Sequence, residues 1–140
     1  MENKMELRFP AISDNESFAR TCVASFVSQL NPTLEQISDI KTAISEAVTN
    51  VVVHAYDDNL GEVLIRSELT ESAIIVIVQD FGKGIMNIEL AKMPFYTTAN
   101  SSDRSGMGFT VMETFMDEIE VFSEVGNGTR VVMRKQIKNK

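Results

Sequence analysis

Apolar residues recur at Ile37, Ile40, Ile44, Ala47, Val48, Val51 and Ala55, at offsets of three and four. That repeat gathers them on one side of a helix. Thr33 and Gln36 stand at its start as a capping-box pair, and the spacing predicts a long helix reaching His54 or Tyr56. A shorter helix is predicted ahead of it. It starts at a second capping-box pair, Ser13 and Glu16, and ends near Leu30, with Phe18, Val23, Phe26, Val27 and Leu30 on its buried side. Asn31-Pro32 separates the two helices. Residues 7–12 are short and apolar, and Pro10 lacks the N–H that a sheet ladder needs, so they read as an edge strand.

The period changes downstream. Residues 57–61 form a turn, and 62–69 alternate as a strand does. Residues 73–79 are an almost unbroken β-branched run, which predicts a central strand buried on both faces. Residues 80–104 are rich in turn formers, with at most a short helix near 88–92. Irregular stretches of that length commonly carry function. A helix is predicted from Gly106 to about Met116. Strands at 119–124 and 129–136 then join through Val125-Gly-Asn-Gly128, a hairpin turn. The order is β-α-α-β-β-loop-α-β-β. It predicts an α+β fold of one domain: a two-layer sandwich with helices on one face of a mixed β-sheet.

Composition narrows the chemistry. The chain has 140 residues, 44% hydrophobic and 24% charged, with a formal net charge of −7. An acidic field of that size repels phosphate-coated partners, so direct nucleic-acid binding is not expected. The only basic run, 134–140, reads as a solvated end. Cys22 and His54 are the only residues of their kinds. An internal disulfide, a thiolate metal cage and a multi-histidine zinc site therefore lack material. No apolar stretch suits a signal peptide or a membrane span, and a cytoplasmic protein is expected.

Three polar features remain. Glu46 lies opposite the apolar stripe of the long helix, and Asn50 follows one turn later. They form either a solvated face or a pair reaching one ligand, a proton-accepting carboxylate beside an amide oxygen suited to Mg²⁺. Asp80-Phe-Gly-Lys-Gly84 follows the central strand. It is either an ordinary turn or a carboxylate acceptor beside a backbone that a ligand can approach closely. Ser105-Gly-Met-Gly-Phe109 opens a helix, as a plain cap or as a nest of N–H groups for an anion. The chain has neither a Walker A run nor a dinucleotide-binding Gly-x-Gly-x-x-Gly turn. Its Asp-Phe-Gly triplet lacks the surrounding motifs of a protein kinase.

In this order the three features resemble the GHKL ATPase/kinase superfamily. Glu46-x-x-x-Asn50 is similar to its N box, Asp80-x-Gly-x-Gly84 to its first glycine box and Gly106-x-Gly108 to its second. Gly128-Thr129 is similar to the late element beside adenine. The resemblance spans about residues 33–136 and implies a Bergerat-type sandwich with an ATP lid at about 85–105. The stretch Glu-Ala-Val-Thr-Asn-Val-Val-Val-His-Ala-Tyr at 46–56, with Pro94-Phe-Tyr-Thr-Thr98, resembles the anti-sigma factor serine kinases, above all their sporulation members.

That resemblance implies ATP and Mg²⁺ as cofactors, a sigma factor and an anti-anti-sigma protein as partners, and a homodimer. It assigns Glu46 to the incoming serine and Asn50 to Mg²⁺. Asp80 and Thr129 go to adenine, with Gly82 and Gly84 shaping the turn. Ser105, Gly106, Met107, Gly108 and Phe109 go to the phosphates. Arg104 is either a γ-phosphate ligand or a solvated charge, and Arg20 either a partner contact or a solvated arginine. The only histidine lies within the N box, so a transferred phosphoryl group would need an acceptor on another protein. The alternatives are a non-catalytic, ATP-dependent sigma-sequestering module and a slow ATPase switch.

Overall fold

The computed structural model describes residues 2–57, 59–92 and 108–137. Five strands are present: β1 (Asn3–Pro10), β2 (Glu62–Leu69), β3 (Ala73–Asp80), β4 (Glu118–Glu124) and β5 (Gly128–Gln136). The helices are α1 (Asn15–Val27), α2 (Leu34–Asn50), the short α3 (Ile88–Ala91) and α4 (Gly108–Phe115).

Strand alternation decides which sheet face carries the core. Val63, Ile65 and Leu69 of β2, Ile74, Val76 and Val78 of β3, and Val131 and Met133 of β5 are buried in one cluster with the helices. On the opposite face Ile75 and Ile77 are half-buried, so β3 is central but not covered equally on both sides. Ion pairs line the rim of that face, Arg8 with Glu62 at 2.9 Å and Arg66 with Glu6 at 3.4 Å.

The sheet order is β1-β2-β3-β5-β4, and every pairing is antiparallel. The expected mixed sheet is corrected here. β4 runs in the direction of β3, but the β4–β5 hairpin inserts β5 between them, so no parallel pair forms. The edge strand β1 begins four residues earlier than its apolar part and ends on Pro10.

Packing also revises the helices. Thr33 Oγ1 accepts from Gln36 N at 3.1 Å and Gln36 Oε1 accepts from Thr33 N at 2.9 Å, the predicted capping box. The pair at Ser13 and Glu16 makes none, because Thr49 Oγ1 of α2 donates to the Glu16 carboxylate at 2.5 Å. Phe18 is 49% exposed and meets Phe9 edge-on, while Ala19, Val23 and Val27 are fully buried. α2 packs against both α1 and α4. Its buried arc is therefore wider than a stripe, taking in Ala43 and leaving Ile37 half-buried. Lys135 occupies a core-facing position of β5, where its Nζ donates to the Phe115 carbonyl at 2.7 Å and pairs with Asp39 at 3.4 Å. No helix among the described residues is long and apolar enough to cross a membrane.

Candidate functional site

Past Asn50, α2 widens into one π turn, Val51–Ala55. Such turns free backbone groups from the regular ladder. Here the Ala55 carbonyl accepts from Lys83 N at 2.8 Å, in the loop after β3. Tyr56 strengthens the junction, its hydroxyl accepting from Phe81 N at 2.8 Å and donating to the Glu62 carbonyl at 2.6 Å. A Cβ on Gly82 would overlap the Ala55 carbonyl, and one on Gly84 (φ 78°) the Glu124 carbonyl. Both glycines of the first box are thus required by backbone-to-backbone packing.

This junction closes one end of a cavity of about 540 Å³. Asn50, His54, Asp80, Gly84, Phe109 and Thr129 line it, with apolar walls from both layers. Asp80 sits at the end of β3, 5% exposed. Its Oδ1 accepts from Gly82 N at 2.9 Å and Thr129 N at 3.2 Å. Burial raises its carboxyl above the ordinary carboxylate range, and the two backbone bonds only partly offset that.

Sequence reasoning missed Ser123. Its Oγ accepts from Ile85 N at 2.7 Å, donates to the Gly128 carbonyl at 3.1 Å and lies 2.9 Å from Thr129 Oγ1. Ser123 and Thr129 face each other across the β4–β5 ladder. The one signal for it was that hairpin register, counted back from Gly128-Thr129.

Among the described residues, the N-box pair lines two different hollows. Asn50 lines the cavity. Glu46 lines a second hollow, of about 490 Å³, between α1 and α2, together with Glu16, Arg20, Lys41 and Ser45. There Arg20 Nη1 donates to Ser45 Oγ at 3.3 Å and stands 4.0 Å from Glu16. Gly108 is buried at the first position of α4, and Phe109 reaches the cavity from the next. Arg104, Ser105, Gly106 and Met107 lie outside the described residues, as does Pro94-Phe-Tyr-Thr-Thr98.

Residues 9–135 match the family described as histidine kinase-like ATPase domain. The chain is 55% identical to an anti-sigma F factor of Caldanaerobacter subterraneus subsp. tengcongensis, covering 96% of this chain and 94% of that protein. It is 54% identical to an anti-sigma F factor of Clostridium acetobutylicum (97% and 95%) and 51% identical to one of Clostridium perfringens (98% and 99%). Among solved structures, the mycobacterial sensor histidine kinase MprB aligns with a TM-score of 0.61 at 13% identity, covering 96% of this chain and 100% of that one. The catalytic domain of the histidine kinase ThkA aligns at 0.58 and 17%, covering 95% and 96%. At such identities those two likenesses show the fold alone. Motif order, cavity geometry and near full-length similarity lead to one assignment: the chain belongs to the GHKL-type histidine kinase-like ATPase domain family, in the branch of the anti-sigma F factors.

Proposed function

We propose that this protein is an anti-sigma factor that binds and inhibits a sporulation sigma factor and, with Mg²⁺-ATP, phosphorylates a serine of an anti-anti-sigma protein. It acts in the cytoplasm as a homodimer. One observation carries the catalytic part of this reading. A single turn of α2 separates Asn50, in the cavity, from Glu46, in the hollow beside Arg20. A phosphoryl donor in the cavity and a protein acceptor docked at the hollow would meet beside that turn, where Glu46 and Asn50 lie one turn apart.

The adenine amino group donates to Asp80, whose Oδ1 already holds two backbone N–H groups and whose other oxygen is left for a ligand. Mg²⁺ fits the donor set. The described residues contain no cluster of three His, Cys, Asp or Glu side chains, so a cation here would rest on phosphate oxygens, waters and the Asn50 amide oxygen, the mode Mg²⁺ favours. When bound, the ion neutralises charge on the β- and γ-phosphates. Arg104 and the backbone of 105–109 hold phosphate oxygens, and residues 85–105 form the lid. Glu46 orients the incoming serine and takes its proton as Oγ bonds to the γ-phosphorus and the bond to ADP breaks. Arg20 and Lys41 give the hollow its cations, and Arg20 contacts the partner.

Two substitutions test the division of labour. Glu46→Gln is expected to bind Mg²⁺-ATP within about twofold of the wild type while slowing transfer by about a hundredfold or more. Asn50→Ala is expected to weaken Mg²⁺-ATP binding itself. Nucleotide titration with phosphoserine quantification reads both, and normal transfer by Glu46→Gln refutes its role as base.

A further inference from the structure

A hydroxyl has one proton to give and two lone pairs to fill. Ser123 uses all three. Ile85 N can only donate, and it fills one lone pair at 2.7 Å. The Gly128 carbonyl can only accept, and it takes the proton at 3.1 Å. With the Ser123 proton on that carbonyl, the third neighbour, Thr129 Oγ1 at 2.9 Å, is the donor into the remaining lone pair, and this is the arrangement the proposal below takes. The Thr129 proton is thereby turned away from the cavity, and its lone pairs are what it offers a ligand. Asp80 is an acceptor too, and the two backbone N–H groups beside it, from Gly82 and Thr129, are both held by its Oδ1. The cavity at Asp80 therefore presents acceptors.

We propose that Ser123 is a positioning residue for base specificity: it locks the Thr129 hydroxyl as an acceptor, and so bars purines that carry an oxo group in place of the 6-amino group. This rests on the nucleotide reading above and goes beyond it, since it assigns discrimination to a side chain outside the cavity lining. A 6-oxo group facing Asp80 and Thr129 meets lone pairs on both. Removing the Ser123 hydroxyl frees the Thr129 O–H to rotate and donate to it.

The test compares ATP with inosine triphosphate, which carries an oxo group at the 6-position and a proton on N1, so the readout is the change in the ATP-to-ITP ratio between variants. Dissociation constants are measured for the wild type, Ser123→Ala, Ser123→Thr, Thr129→Val and the Ser123→Ala/Thr129→Val double variant. The wild type is expected to prefer ATP. Ser123→Ala should narrow that preference by about tenfold, the scale of one buried hydrogen bond gained or lost. Ser123→Thr keeps a hydroxyl and should keep the preference. With Thr129→Val in place, Ser123→Ala should no longer change the ratio. Equal weakening of both nucleotides by Ser123→Ala, an unchanged ratio, or a change that persists without the Thr129 hydroxyl would each overturn the proposal. Ser123→Cys, a weaker donor and acceptor, supplies the same comparison should the alanine variant not fold. A wild type that binds neither triphosphate refutes the underlying nucleotide reading instead.

Discussion

Asp80 carries the clearest conflict between stability and function. Burial at the end of β3 raises its carboxyl from an ordinary value of 3.8, against the pull of its two backbone bonds. A raised acid favours the neutral form in the folded state. Its contribution to stability is therefore present below the ordinary value and is lost as pH rises through the raised one. An amide in its place keeps an oxygen for Gly82 N and Thr129 N and does not ionise. Relative to the wild type, Asp80→Asn should gain stability as pH rises above the ordinary value of 3.8, until the raised carboxyl has ionised. It should also lose about tenfold or more in ATP affinity, because an amide NH₂ would face the amino group of the base. Thermal melts across that range and a nucleotide titration check both halves. A wild type that gains stability over Asp80→Asn as pH rises would contradict the account of burial.

The elements were legible where one periodicity dominated, and obscure where a distant partner decided. The apolar repeat of α2, its Thr33–Gln36 cap and the bounds of β2 and β5 follow from local spacing. The failed cap at Ser13 was not legible, because Glu16 turns to Thr49, 33 residues away. Nor was the exposure of Phe18, or the insertion of β5 beside β3, which depends on where a hairpin docks. Asp80, Asn50, Gly84 and Thr129, picked out by motif order, line the cavity, while Ser123 follows only from hairpin register and Tyr56 acts through a contact 25 residues away. The glycine loop gives an element-scale prediction. Gly84 and Gly126 both have positive φ, 78° and 87°, but an added Cβ meets the Glu124 carbonyl at the first and open space at the second. Gly84→Ala should cost roughly 1–3 kcal/mol and Gly126→Ala less, read from urea midpoints at an unchanged slope. Equal costs would mean that conformation alone, and not the contact with the β4–β5 hairpin, fixes the loop.

At the scale of the whole molecule, α2 lines two hollows, its C-terminal end facing one and its earlier turns the other. The sheet and the loop after β3 form the cavity on one side of it, while α1 shapes the surface hollow on the other. The same helix turns an amide toward one and a carboxylate toward the other, and its π turn clamps the glycine loop that carries Asp80. Under the proposed function, nucleotide and incoming protein would meet where the two hollows approach each other, at Asn50 and Glu46. The most direct test is incubation of the protein with Mg²⁺-ATP and the anti-anti-sigma protein, with intact-mass and fragment-mass analysis of both polypeptides alongside ADP quantification. The account predicts one phosphate on a serine of the partner for each ADP formed, and none on this chain. Bound ATP with an unmodified partner, or ADP accumulating as free phosphate is released, would contradict it.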